Sequence, residues 1–128
     1  MNTIADSVEL QEDAQLVIDV LSEKEEIQLD YSADSISWLD TYIERHRDEL
    51  DERDKSLLQE KFGAYLGESI RHNYGGRWVK GSGDCWMIVF DEDYQASPFE
   101  LIGEHLDHHT DLTEVFVHLP DHWQVRRN

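Results

Sequence analysis

Residues 57–79 read LLQEKFGAYLGESIRHNYGGRWV, and the change of period inside this stretch decides the fold. Leu58, Phe62, Leu66 and Ile70 recur every fourth residue, which predicts a long helix over about residues 53–73 with one apolar face to bury. Gly75 and Gly76 then offer a left-handed stop. Beyond them RWVK, a GSGD turn and CWMIVF read as a β-hairpin around residues 76–90, its second strand apolar at every position and therefore expected to be covered on both faces. Gly63 and Gly67 interrupt the helix and leave, with Ala64, a shallow groove for the close approach of another backbone.

Upstream, Leu10, Ala14, Val17 and Leu21 have helical spacing and predict an amphipathic helix ending near residue 23. Ile27, Leu29 and Tyr31 alternate with polar neighbours, which suits a short strand or an extended connector. A further helix follows, capped by Asp34 or Ser35, striped by Ile36, Leu39 and Ile43, and ending near Asp48. Downstream, Pro98 can start a helix continued by Phe99, Ile102 and Leu106, whereas LTEVFVHL suits either helix or strand. These elements predict one α+β domain over residues 1–128: an N-terminal helix (1–24), a helical part (33–73), a hairpin and C-terminal helix (76–119) and a tail (120–128), the helices packed on a small antiparallel sheet.

The chain has 128 residues, 29 of them acidic against 11 basic, for a formal charge of −18. Such a field repels phosphate backbones and anionic lipids, so direct nucleic-acid or membrane binding is not expected. Four Trp, five Tyr and four Phe supply what a disordered acidic chain lacks. One cysteine, Cys85, an opening without a secretory pattern and the lack of a bilayer-length apolar run together predict a reducing, cytoplasmic setting. The charge is uneven: 18 acidic against 5 basic residues up to residue 60, and 11 against 6 beyond it.

The run GAYLGESIRHNYGGRWV, with the lead-in LDYSADSISWLDTYIE, resembles an uncharacterised bacterial family, a domain of unknown function, over roughly residues 29–90. The resemblance implies a fold and no activity. It singles out Gly67, Glu68, Gly75, Gly76, Arg77 and Trp78, each with a structural reason: helix contact, chain turning, and a partly buried ion pair of Glu68 with Arg77 joining helix end to strand start.

Chemistry-bearing patterns are sparse. Within ELIGEHLDHHTD, His105 and His109 lie one helical turn apart, and Glu104 and His108 form a second such pair, a candidate divalent-metal cluster that needs further ligands from elsewhere. No other cofactor is implied. The zincin pattern fails because Leu106 follows His105, and the stretch from Asp91 fails as a calcium loop, with Ala96 and Ile102 where glycine and glutamate are required. Cys85 in an apolar strand suits an inert thiol better than a nucleophile, and no nucleophile elbow, P-loop or dinucleotide fingerprint occurs. The four tryptophans Trp38, Trp78, Trp86 and Trp123 suit core packing better than a binding pocket.

Two functions follow. The first is a non-catalytic interaction protein whose acidic helical half docks on a basic partner, of immunity or inhibitor type. The second is a metal-binding protein or metal-dependent enzyme centred on Glu104, His105, His108 and His109.

Overall fold

The computed structural model of the chain describes residues 3–81, 86–91, 94–108, 110–119 and 124–125. Helix α1 spans Thr3–Glu25, α2 Ala33–His46, α3 Glu52–Tyr74, α4 Pro98–His108 and α5 Leu112–Val117. Strands β1 (Arg77–Lys80), β2 (Trp86–Val89), β3 (Tyr94–Ala96) and β4 (Gln124–Val125) form one antiparallel sheet in that order. The architecture is α+β: helices packed on a small antiparallel sheet.

Helix α3 organises the rest. Asp51 caps it, its carboxylate accepting from the Asp54 amide at 2.8 Å while Asp54 returns the bond to the Asp51 amide. Every residue from Phe62 to Ile70 is buried, so this half of α3 is enclosed on all sides rather than on one stripe. Leu10, Ala14, Val17, Ile18 and Leu21 of α1 join the core around it, as do Ile102 and Leu106 of α4 and Ile88 of β2.

The glycines of α3 admit aromatic rings, not a backbone as their spacing suggested. A methyl group on Gly67 would overlap the Trp78 indole, and one on Gly63 would overlap the Phe99 ring. The helix stops at Gly75, whose φ of 84° and ψ of −156° lie in a region essentially restricted to glycine. Gly76, at φ 93°, completes the reversal into β1.

In the sheet, Trp78 pairs with Ile88 across β1–β2, and Ile88 with Ala96 across β2–β3. The apolar strand β2 is thus interior, so its edge is not offered to solvent. Ile88 and Val89 are buried, but Trp86 and Met87 are half-exposed, and the cover is less complete than an all-apolar strand predicts. Strands β3 and β4, three and two residues long, carry no periodic signal of their own. The GSGD turn lies outside the described residues after Gly81.

The segment between α1 and α2 is an extended connector. Leu29 is buried and Ile27 and Tyr31 half-buried, which accounts for the alternation, but its polar backbone is met by side chains of α3 instead of a neighbouring strand. The Tyr65 hydroxyl donates to the Asp30 carbonyl, and the Asn73 amide to that of Tyr31. The Tyr31 ring stacks on Tyr65 and His72, with centroids 5.4 and 4.2 Å away. Ser32, two residues before the nearer of the anticipated caps, caps α2 by accepting from the Ser35 amide. The Ser35 hydroxyl donates to Asp30, and hydrogen bonds from Ser32 and Ser35 hold the Asp30 carboxyl below its ordinary range. LTEVFVHL resolves as helix because Asp111 caps α5, accepting from the Glu114 amide at 3.0 Å.

Two outcomes follow. Gly67→Ala is expected to destabilise the fold by about 1–3 kcal/mol through overpacking against Trp78, read as a lower urea midpoint at unchanged slope. Burial pushes the Tyr65 phenol from 10.0 up to about 12. The folded state therefore retains this proton when the unfolded chain has lost it. That contribution is complete below pH 10, is lost as pH rises towards 12, and amounts to about 3 kcal/mol, two pH units at about 1.4 kcal/mol each. Urea unfolding across pH 9–12 should show the loss, and Tyr65→Phe should remove this component of the slope.

Candidate functional site

The residues singled out by the family resemblance form a joint between α3 and β1. Trp78 lies over Gly67, and its indole N–H donates to Glu68 Oε2 at 2.8 Å. Arg71, one turn further along α3, donates to the same oxygen at 2.7 Å. Glu68 is 5% exposed, so its charge is compensated by these two donors inside the core. The anticipated Glu68–Arg77 pair does not form. Arg77 precedes Trp78 on a strand, so its side chain takes the opposite direction and is exposed, while Arg71 is already one turn from Glu68 on the same helix face. Trp78 also meets Trp86 and Phe99, at centroid distances of 6.4 and 6.0 Å. Two of the tryptophans thus pack on each other at the joint, and Trp38 stacks on Tyr42 at 5.3 Å; Trp123 lies outside the described residues.

Three residues of the histidine cluster are described, and they do not share one direction. Glu104 and His108 are exposed on α4, whereas His105 is 1% exposed and turned towards α2; His109 lies outside the described residues, as do His122 and Cys85. A helix carries adjacent residues about 100° apart, so Glu104 cannot share the direction of His105. What His105 meets instead is a carboxylate pair that sequence reasoning missed. Asp40 and Glu44, one turn apart on α2, bring Oδ1 and Oε1 to 3.5 and 3.7 Å from His105 Nε2. The three ligand atoms all lie within 4.8 Å of one another.

Each side chain is held from behind. His105 Nδ1 faces the Thr110 carbonyl, which can only accept, so this nitrogen carries a proton. Asp40 Oδ2 accepts from the Leu112 amide at 2.9 Å, close to the cap of α5. Arg47 donates to Glu44 Oε1 at 2.6 Å and reaches the carbonyls of His105 and Leu106, tying α4 to the end of α2. The carboxylates open onto a polar cleft of about 480 Å³ between α2 and the start of α5, with Thr110 and Asp111 on its far side. His105 Nε2 itself is buried and has no hydrogen-bond partner. The only sequence signal for Asp40 and Glu44 was their i,i+4 spacing, which is lost among so many acids.

A third feature is the acidic corner at Tyr42. The phenol is pushed above its ordinary value by partial burial first, then by the charges of Glu25 and Glu49. Glu25 ends α1 and Glu49 lies between α2 and α3, so acids far apart in sequence converge on one ring. Glu23, Glu25, Glu26, Asp48 and Glu49 are all exposed.

Known protein families, curated proteins and solved structures were each compared with the chain, and none matches it. Its function therefore has to be argued from its own residues.

If the Glu68 centre is a structural joint, stability should follow its hydrogen bonds. Glu68→Ala, which strands the Trp78 and Arg71 donors, is expected to cost about 3–5 kcal/mol. Glu68→Gln keeps an acceptor for Trp78 and should cost less; equal losses in thermal or urea unfolding would contradict the joint.

Proposed function

We propose that this chain is a small, non-catalytic cytoplasmic protein that docks through its acidic helical half on a basic protein partner, in the manner of an immunity protein or inhibitor. The observation that carries this reading is the Tyr42 corner, where Glu25 and Glu49 bear on one half-buried ring. Charge that served solubility alone would need no such convergence on an aromatic surface. Here the ring has Trp38 stacked on one side at 5.3 Å and His46 tilted against it at 4.5 Å, which fixes its orientation. Exposed carboxylates gathered beside a fixed, half-buried ring suit an arginine or lysine of a partner, whose charge meets the acids while its stem covers the aromatic edge.

The wider field supports the same reading. Most carboxylates of α1, of the connector and of the α2–α3 corner are exposed, and those engaged by donors of the fold, such as Asp13, Asp30, Glu44 and Glu49, leave a large acidic surplus. A surface of this sign accelerates encounter with a cationic protein and disfavours phosphate backbones. Among the described residues no helix is long and apolar enough to cross a membrane.

Affinity capture on the immobilised protein at low and moderate salt should recover a basic protein, with weaker recovery at the higher salt. Combining Glu25→Lys with Glu49→Lys should reduce recovery about tenfold or more while leaving the thermal midpoint near that of the parent. Recovery of no basic protein at either salt, or equal recovery by the double variant, would sink the proposal.

A further inference from the structure

The His105 centre is independent of the acidic corner, and its atoms pose a separate electrostatic problem. With a proton held at Nδ1 by the Thr110 carbonyl, Nε2 is the nitrogen turned towards Asp40 and Glu44 and the one that can offer a lone pair to a cation there. His105 Nε2, on a side chain that is 1% exposed, then faces two carboxylate oxygens without a hydrogen-bond donor of its own among the described residues, while Glu44 Oε1 already accepts from Arg47. A cation placed between the nitrogen and the two oxygens would satisfy the buried Nε2 and meet both carboxylates at once.

Two species could supply that charge, a second proton on the ring or a metal ion, and distance separates them. A charged N–H···O⁻ bond draws its heavy atoms to about 2.7–2.9 Å. The observed separations of 3.5 and 3.7 Å are longer than that. An ion about 2.1 Å from each donor, by contrast, holds its ligands apart, and separations of this length are those it would impose between the imidazole nitrogen and each oxygen.

We propose that Asp40, Glu44 and His105 bind one first-row divalent ion of the zinc or manganese class. One imidazole nitrogen and two carboxylate oxygens suit such an ion, whereas calcium takes six to eight oxygens and magnesium keeps most of its water. The supporting contacts are those that metal ligands use: a carbonyl on the far nitrogen of His105, the Leu112 amide on the far oxygen of Asp40, and Arg47 on Glu44. Arg47 also offsets one of the two carboxylate charges and shares Glu44 Oε1, which makes the site a moderate binder. A fourth position would face the polar cleft, open to water or to a small oxygen ligand.

Isothermal titration of the chelator-treated full chain tests this directly, with zinc and manganese as probes and magnesium and calcium as comparators. One equivalent of zinc or manganese should bind and raise the thermal midpoint. Asp40→Asn and Glu44→Gln should each weaken binding at least tenfold, and His105→Gln should abolish it. Glu44 is 40% exposed, so E44Q tests the site without emptying the core, and circular dichroism verifies the fold of the other two. The combination of Glu104→Gln with His108→Gln should leave binding unchanged. Absence of stoichiometric binding, binding equal to the parent in E44Q and D40N, or loss confined to the Glu104 and His108 variant would each overturn the assignment.

Discussion

The indole of Trp78 rests on the bare backbone of Gly67, and most of the architecture depends on that contact. It is possible only because residue 67 lacks a Cβ, and it is held in place because the indole N–H finds Glu68 on the next residue of the same helix. One glycine and one carboxylate thus determine how β1 leaves α3. From β1 the register passes to β2 and β3, and Ala96 of β3 leads through Ser97 to Pro98 and α4. The direction of α4 in turn decides which of its residues points at α2, and that residue is His105. A helix-to-strand joint near the middle of the chain therefore positions a polar centre some thirty residues later.

How legible this was in the sequence depends on how far each signal reaches. The fourfold spacing of Leu58, Phe62, Leu66 and Ile70, the Gly75-Gly76 stop and Pro98 each act within a turn or two of chain, and each has its expected structural consequence. The alternation Ile27, Leu29, Tyr31 also acts locally, but it reports only that one side of an extended segment is buried. Whether such a segment joins a sheet depends on whether its amides and carbonyls meet another strand, and here Tyr65 and Asn73 of α3 meet them first. The short strands β3 and β4 owe their pairing to a neighbour already in place, which no two- or three-residue window encodes.

The candidate sites illustrate the same limit. His105 was visible as one of several histidines, yet its partners Asp40 and Glu44 lie about sixty residues away in a chain rich in carboxylates. Charge content alone could not mark them, because only the packing of α2, α4 and the α5 cap gives two of many acids a buried nitrogen to face. Arg77 and Glu68 failed as a pair for a related reason: the strand period sends Arg77 outward just where it sends Trp78 in. Neighbours in a motif need not be neighbours in space, and the alternating direction of a strand decides the matter.

Seen in this way the acidity of the chain divides into two kinds. At the Tyr42 corner the carboxylates are exposed, and any attraction they exert is one that salt screens. At His105 the carboxylates are individually held, Asp40 by the Leu112 amide and Glu44 by Arg47, and their value lies in position, not in number. The same net charge that keeps phosphate away would raise the local concentration of any cation, whether a metal ion or a basic side chain, so neither site has to generate its own long-range attraction. Under the two proposals, selectivity would arise at short range: from carboxylates set beside an oriented aromatic ring in one place, and in the other from a buried imidazole nitrogen facing two held carboxylates.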